Sequence, residues 1–463
     1  MVNQRVARSQ RLAWLEGMRI FAVVVLLLYH AQLLFSDYAY TPKPTGLGDN
    51  LRQLTTATLS FPAHGGVLPL LCLLTWFGFQ LIDVLVLVSG FSLMLSLQGQ
   101  PLKVGDFLKH RLLRVLVPFW TVAWLGYPVL VAIAAATDSK LPDSWHIFAG
   151  ATFPLLFTYS GDLLMATTAS WWLMSLVVSF TLVFPVLWHL LQRWGAVNLL
   201  LVSVGVTIGY RLLAIYGLGG HPTYVLWESP AGWQPFALFL AKLSTFVLGM
   251  VAGYWYQQGR GPVYWQPQRA LTVGVITYLL GTIFQFYQWG WVLSDLLLPI
   301  GLTLCGMVAF RIIAVHCWME AQLRWLGAYS YYYFLIYGFV VDYTLQLVIQ
   351  GDPLRYYLLL PVMVVGTFML AVLADYTSPL LQRLVRGLWR DLDFVLSTTP
   401  KVQPRLWDPQ VGDEVRYRGE TGWVVLKVEK LLDEQEFWLC QVSDGQRSLW
   451  ANEEDLEPAG RGF

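Results

Sequence analysis

The chain has 463 residues, 56% hydrophobic and only 13% charged, with 22 Trp and a formal net charge of +1. A soluble globular chain carries about twice that charged share, so the composition is that of a membrane protein, and no overall basic character points to nucleic acid as a partner. Cys72, Cys305, Cys317 and Cys440 show no CxxC or other ligand spacing, which supports neither a disulfide framework nor a zinc site.

Arg5, Arg8 and Arg11 form a basic flank before the first long apolar run, Leu12 to Phe35, LAWLEGMRIFAVVVLLLYHAQLLF. The run meets the ~20 residues that a membrane-crossing helix needs. It is too long and too charged for a cleaved signal peptide, and more apolar runs follow. Glu16, Arg19 and His30 interrupt it. Between Arg19 and His30 a helix makes three turns plus about 20°, so both project from one face, ~16 Å apart along the axis. Ionisable residues in a membrane helix are costly and by default face a bundle interior or a water-filled path. Glu16, three residues before Arg19, can pair with it. Two readings stay open: an end-of-helix ion pair plus a polar packing contact at His30, or a functional channel that uses the shared face.

A polar stretch from Ser36 to about Gly66 reads as an external loop. Span two covers about Leu68 to Leu97 and holds Asp83 and Ser89-Gly90-Phe91. A basic segment with Lys103, Lys109, Arg111 and Arg114 leads into span three, ending near Ala136. The apolar part of the next stretch, His146 to Tyr159, contains Pro154 and is short, so it reads as interfacial or re-entrant. Spans four to ten follow at about Trp171–Leu191, Ala196–Ile215, Pro235–Tyr256, Ala270–Trp289, Trp291–Ile313, Leu326–Ile349 and Tyr356–Leu381. With the N-terminus inside, the cytoplasmic loops collect most Lys and Arg, from Arg5 to Arg383, Arg386 and Arg390. The external loops hold only Lys43, Arg52, Lys140 and Arg355, with Arg211 near an outer helix end. This asymmetry follows the positive-inside rule and puts both termini in the cytoplasm.

After Pro400 apolar and polar residues alternate in short runs, separated at Arg418-Gly419, Leu432-Asp433 and Asp444-Gly445. Four or five such strands point to a small SH3-like β-barrel. From Lys401 on, Asp and Glu exceed Lys and Arg by five, which argues against a nucleic-acid grip and fits a stability or docking module for a protein partner. The expected architecture is an all-α integral membrane bundle of about ten transmembrane helices over residues 1–390, a linker over 391–408, and the cytoplasmic β domain over 409–463.

Several segments resemble the acyltransferase-3 family of multi-span membrane acyltransferases. LEGMRIFAVVVLLLYH is similar to that family's first helix, whose Arg-x10-His spacing Arg19 and His30 meet. GFQLIDVLVLVSGFSL resembles its second-helix segment, with Ser89, Gly90 and Phe91 as the Ser-Gly-Phe core and Asp83 upstream. DFLKHRLLRVLVPF resembles its basic entry to helix three, matched by Arg111, Arg114 and Pro118. LSTFVLGMVAGYW and RWLGAYSYYYFLIYGF resemble two later helices. The likeness runs over roughly residues 12–380, and the combination is far more specific than any one piece. Two departures stand out. Val177 and Val178 occupy the place of paired acids that many relatives carry, and Tyr337 takes the place of a histidine.

The resemblance implies transfer of an acyl group, foremost acetyl, from cytoplasmic acyl-CoA to a hydroxyl of a glycan or lipid-linked acceptor across a bacterial inner membrane. Arg19, Arg111 and Arg114 would hold the CoA phosphates, although anionic-lipid binding explains Arg111 and Arg114 equally well. Ser89, Gly90 and Phe91 would flank the thioester arm, or serve helix packing alone. His30 is the candidate general base, with Asp342 a candidate to orient it. Lys242, Asp295 and Asp375 read as structural pairs. A rival reading is a carrier or exporter that conducts a glycan or acyl substrate along the same polar path without chemistry. Val177 and Val178 favour that rival; Arg19 with His30 favours the enzyme.

Overall fold

The computed structural model describes residues 12–59, 68–97, 102–137, 171–219, 239–396, 410–417, 420–432, 436–452 and 456–458. It divides into two compact units, Met1–Leu384 and Val385–Phe463. The basic flank Arg5, Arg8, Arg11 and the segment His146 to Tyr159 lie outside the described residues.

The first unit is built around helix α1, Ala13–Phe35. It is apolar on every side, and most of its residues up to Leu33 are buried, the pattern of a helix enclosed by others rather than one lying on a surface. Its neighbours are α3 (Leu68–Phe77), α4 (Leu81–Leu97), α10 (Trp291–Ile313), α11 (Cys317–Ala328) and α12 (Ser330–Tyr343). A short helix α2, Leu47–Leu59, stands in the loop expected to be external. The remaining helices are α5 (Val104–Thr137), α6 (Trp172–Trp194), α7 (Ala196–Leu212), α8 (Phe239–Gln257), α9 (Pro267–Phe284) and α13 (Pro353–Leu396).

Among the described residues, 7 segments are long and apolar enough to cross a membrane, against the expected ten. The difference has identifiable causes. The stretch Leu173–Gly217 counts once although its 45 residues break at Gly195 into α6 and α7. At 1.5 Å per residue it would be roughly 68 Å long, about twice a bilayer core. Helix α8 carries Lys242, and the expected beginning of its span, 235–238, lies outside the described residues. Helix α9 has only 18 residues, and its first turn is the polar Pro267-Gln268-Arg269. Span nine is among the seven but does not start at Leu326: the chain bends at Tyr329, leaving α11 as a separate helix before α12.

Four helices are tied by buried charge. Lys242 of α8 lies 2.9 Å from Asp83 Oδ1 of α4 and 2.6 Å from Asp295 Oδ2 of α10. Arg211 of α7 donates to the same Asp295 oxygen at 2.6 Å and to the Trp291 carbonyl at 2.7 Å. Two cations and two carboxylates form a neutral set, which is how charges persist away from water. Asp83, a site candidate by sequence, is thereby held as a structural partner of Lys242. Near this set α4 and α8 cross at backbone contact: a Cβ at Gly90 would stand 2.3 Å from the Phe246 carbonyl oxygen, and one at Gly249 would stand 2.0 Å from that of Leu87.

The second unit contains a 5-stranded antiparallel sheet in the order β4-β3-β2-β1-β5. Its strands are β1 (Glu414–Tyr417), β2 (Glu420–Leu432), β3 (Glu436–Ser443), β4 (Ser448–Asn452) and β5 (Leu456–Pro458). The sheet is open: its edges β4 and β5 do not pair with each other among the described residues, which corrects the expected closed barrel. Chain geometry nevertheless curls it. A flat sheet would separate the edges by about 19 Å, whereas the four Cα steps from Asn452 to Leu456 reach at most ~15 Å. Accordingly, Val415, Trp423, Val425, Cys440, Val442, Ala451 and Leu456, drawn from all five strands, share one core. A bulge at Leu426, where Val425 faces Val442 but Lys427 faces Gln441, bends the long β2.

Removing one member of a buried ion set leaves the others unpaired, at a cost of about 3–5 kcal/mol. Lys242→Met should therefore lower the thermal midpoint of the purified protein sharply, measured by differential scanning fluorimetry. An unchanged midpoint would show that the four charges do not hold the helices.

Candidate functional site

His30 sits in the C-terminal half of α1, half-buried. Its Nδ1 lies 2.9 Å from the Leu26 carbonyl oxygen one turn back. A carbonyl can only accept, so Nδ1 carries the proton and Nε2 presents its lone pair. The Tyr337 hydroxyl lies 3.2 Å from the same Nδ1. With that nitrogen already donating, the phenol oxygen shares its N–H as a second acceptor. The Tyr29 and Tyr337 rings flank the imidazole, with centroids 4.9 and 5.5 Å away. Nε2 makes no hydrogen bond among the described residues, so it is the nitrogen free to take a proton.

Toward the start of α1, Arg19 donates to Glu16 Oε1 at 2.7 Å and to Ser92 Oγ at 2.5 Å. Ser92 donates its own hydrogen bond to the Val88 carbonyl at 2.6 Å, so its lone pairs are left for the guanidinium. Glu16 is buried against Gly327 of α11: a Cβ there would stand 2.4 Å from that of Glu16. Arg111 of α5 feels the charges of both Arg114 and Arg19. Its Nε is buried without a hydrogen-bond partner among the described residues. Tyr331 of α12 stands beside it, its hydroxyl donating to the Val115 carbonyl at 2.7 Å. Arg19 thus has Glu16 as its carboxylate, while Arg111 lies in the field of two further guanidiniums with one donor unmet, an arrangement suited to an anion.

The residues expected from the Ser-Gly-Phe core are distributed differently. Ser92, one turn beyond Ser89, is the serine that meets Arg19; the spacing of three on one helix was the available signal. Gly90 faces the α8 backbone. Phe91 is buried, its ring edge-on to Trp14 at 5.8 Å. Asp342 is not a hydrogen-bond partner of His30; the Leu26 carbonyl and Tyr337 take that place. Tyr331 was not singled out in the sequence, where it is one of a run of tyrosines.

A family model described as an acyltransferase domain, that of the acyltransferase-3 family, matches residues 12–372. No curated protein and no solved structure matches the chain.

The contact at Gly90 separates packing from chemistry. Gly90→Ala should cost about 1–3 kcal/mol by forcing α4 from α8, whereas Ser89→Ala should leave stability unchanged. Chemical denaturation of both variants in detergent checks this; equal stabilities would remove the close crossing as the reason for the glycine.

Proposed function

We propose that this chain, which belongs to the acyltransferase-3 family, is an integral membrane acyltransferase that moves an acyl group, foremost acetyl, from acyl-CoA to a hydroxyl of a glycan or lipid-linked acceptor. The observation that carries the reading is the fixed tautomer of His30, whose Nε2 is left open as a base on the helix that also bears Arg19.

Arg19, Arg111 and Arg114 supply the anion site for the CoA phosphates. Their planar forks match phosphate oxygens, and the unmet Nε of Arg111 is a donor waiting for an acceptor. His30 Nε2 then takes the proton of the acceptor hydroxyl. The acceptor oxygen forms its bond to the thioester carbonyl carbon, the carbon–sulfur bond breaks, and the proton held at Nε2 returns to the departing thiolate. Positioned proton transfer of this kind is worth about 10²–10⁴-fold in rate.

The Lys and Arg asymmetry of the sequence supports placing the guanidinium end of α1 and both termini at the cytoplasmic face of a bacterial inner membrane. The acidic second unit is read as a docking module for a protein partner. The carrier reading draws on Val177 and Val178 of α6, which put no acid where many relatives have two.

Two variants test the assignment, using purified protein, labelled acetyl-CoA and membrane extract. His30→Ala should lower kcat by about 10²–10⁴-fold with the protein still folded. Arg111→Met should raise the KM for acetyl-CoA about tenfold or more while kcat changes little, since losing a charged hydrogen bond weakens binding by about 1.5–3 kcal/mol. Wild-type turnover in His30→Ala would make His30 a packing residue. Absence of any labelled product from the wild type would favour the carrier.

A further inference from the structure

Helix α11, Cys317–Ala328, takes no part in the chemistry above. It joins two apolar segments long enough to span, one ending at Ile313 and the next starting at Ser330. Its 12 residues reach about 18 Å, well short of the ~30 Å hydrocarbon core. It therefore cannot carry the chain across, and α10 ends at the membrane face where α12 begins.

The contacts with α1 give its direction. Leu323 and Gly327, one turn apart, are the buried residues of α11. A Cβ at Gly17 would stand 3.1 Å from Leu323 Cδ2, and one at Gly327 would stand 2.4 Å from the Cβ of Glu16. A whole turn of α11 thus rests on two consecutive residues of α1, at one depth. A helix running along α1 would meet residues three or four apart instead. Helix α11 crosses α1, and because α1 spans the membrane, α11 lies near the membrane plane. Only after the bend at Tyr329 does the chain turn to follow α1, where Tyr337 reaches His30.

The opposite side of α11 is aromatic. At 100° per residue Trp318 and Trp325 project within about 20° of each other, and Gly327 lies directly opposite Trp318. The two indoles are 66% and 48% exposed, although they point away from the bundle. Trp325 packs on Phe368 of α13, ring centroids 5.2 Å apart. Val365 and Met369, on either side of Phe368, are exposed on a span. The tryptophan face therefore continues a surface that lipid covers. Glu320 and Arg324 pair with each other on the flank of α11, so they bring no net charge to it.

We propose that α11 is an interfacial helix, lying in the membrane plane, whose Trp318–Trp325 face binds the lipid leaflet at the Arg19 end of α1. Such a face sinks ~5–10 Å into the boundary between headgroups and acyl chains, where the indole rings stay in the apolar layer and their N–H groups reach the polar one. The other side of the helix holds Glu16, the carboxylate of Arg19, at that depth. The inference stands on packing and exposure and is independent of the acyl-transfer reading.

The test uses the full-length protein in phosphatidylcholine nanodiscs, with Cys305→Ser and Cys317→Ser so that only the buried Cys72 and Cys440 remain. A nitroxide is attached in turn at Trp318→Cys, Gln322→Cys and Trp325→Cys, and its depth is read by EPR from its accessibility to oxygen and to a water-soluble nickel chelate. All three labels should favour oxygen and lie at one shared depth, ~5–10 Å into the interface. Gln322→Cys keeps both indoles, so the reading does not depend on the tryptophan variants folding. A steady change of ~10 Å between the labels at Trp318 and Trp325, the rise of seven helical residues, would show a helix standing along the membrane normal and overturn the proposal. Labels open to the nickel chelate at all three positions would also overturn it, by showing a face turned to water and available to a protein partner.

Discussion

A charge inside a helix bundle must find its opposite there, because neither lipid nor apolar side chains will solvate it. The Asp83–Lys242–Asp295–Arg211 set obeys that constraint, and much of the bundle follows from it. Each charge comes from a different helix, so meeting the electrostatic demand fixes α4, α7, α8 and α10 relative to one another. The α4–α8 crossing at Gly90 and Gly249 brings two backbones into contact beside it. Lipid offers no hydrophobic drive for helices to associate, so close packing and buried polar pairs carry that role.

Against this frame α1 arranges polar groups by depth. Arg19, paired with Glu16 and within reach of Arg111, stands at one end, and the imidazole sits three turns further along. The two zones have different partners: Arg19 turns to Ser92 of α4 and His30 to Tyr337 of α12. One helix therefore feeds two separate chemical environments, an arrangement suited to a reaction whose two substrates differ in charge.

Much of this was legible in the residues. The eleven-residue spacing of Arg19 and His30 placed both on one face because helical periodicity is a local property. Lys242 and Asp295 read as structural pairs because an embedded charge demands a partner, but periodicity could not say that Asp83 and Arg211 were theirs. Ser92 was passed over for Ser89, since only the rotation of α4 against α1 decides which serine meets the arginine. The curled but open sheet was also hidden: alternation reports strands, while closure depends on pairing between distant edges. The break between α11 and α12 escaped a reading of apolarity alone because the chain stays apolar through the bend at Tyr329.

The hydrogen bond from His30 Nδ1 to Leu26 has a consequence for the traffic of protons. An imidazole that conducts them must accept at one nitrogen while releasing from the other. Here Nδ1 is held by its own helix and shared with the Tyr337 hydroxyl, which leaves Nε2 as the open port. A proton taken up at Nε2 and given back there never leaves that side of the ring. A histidine held in this way is set to lend and recover a proton within one reaction cycle rather than to relay it along the bundle.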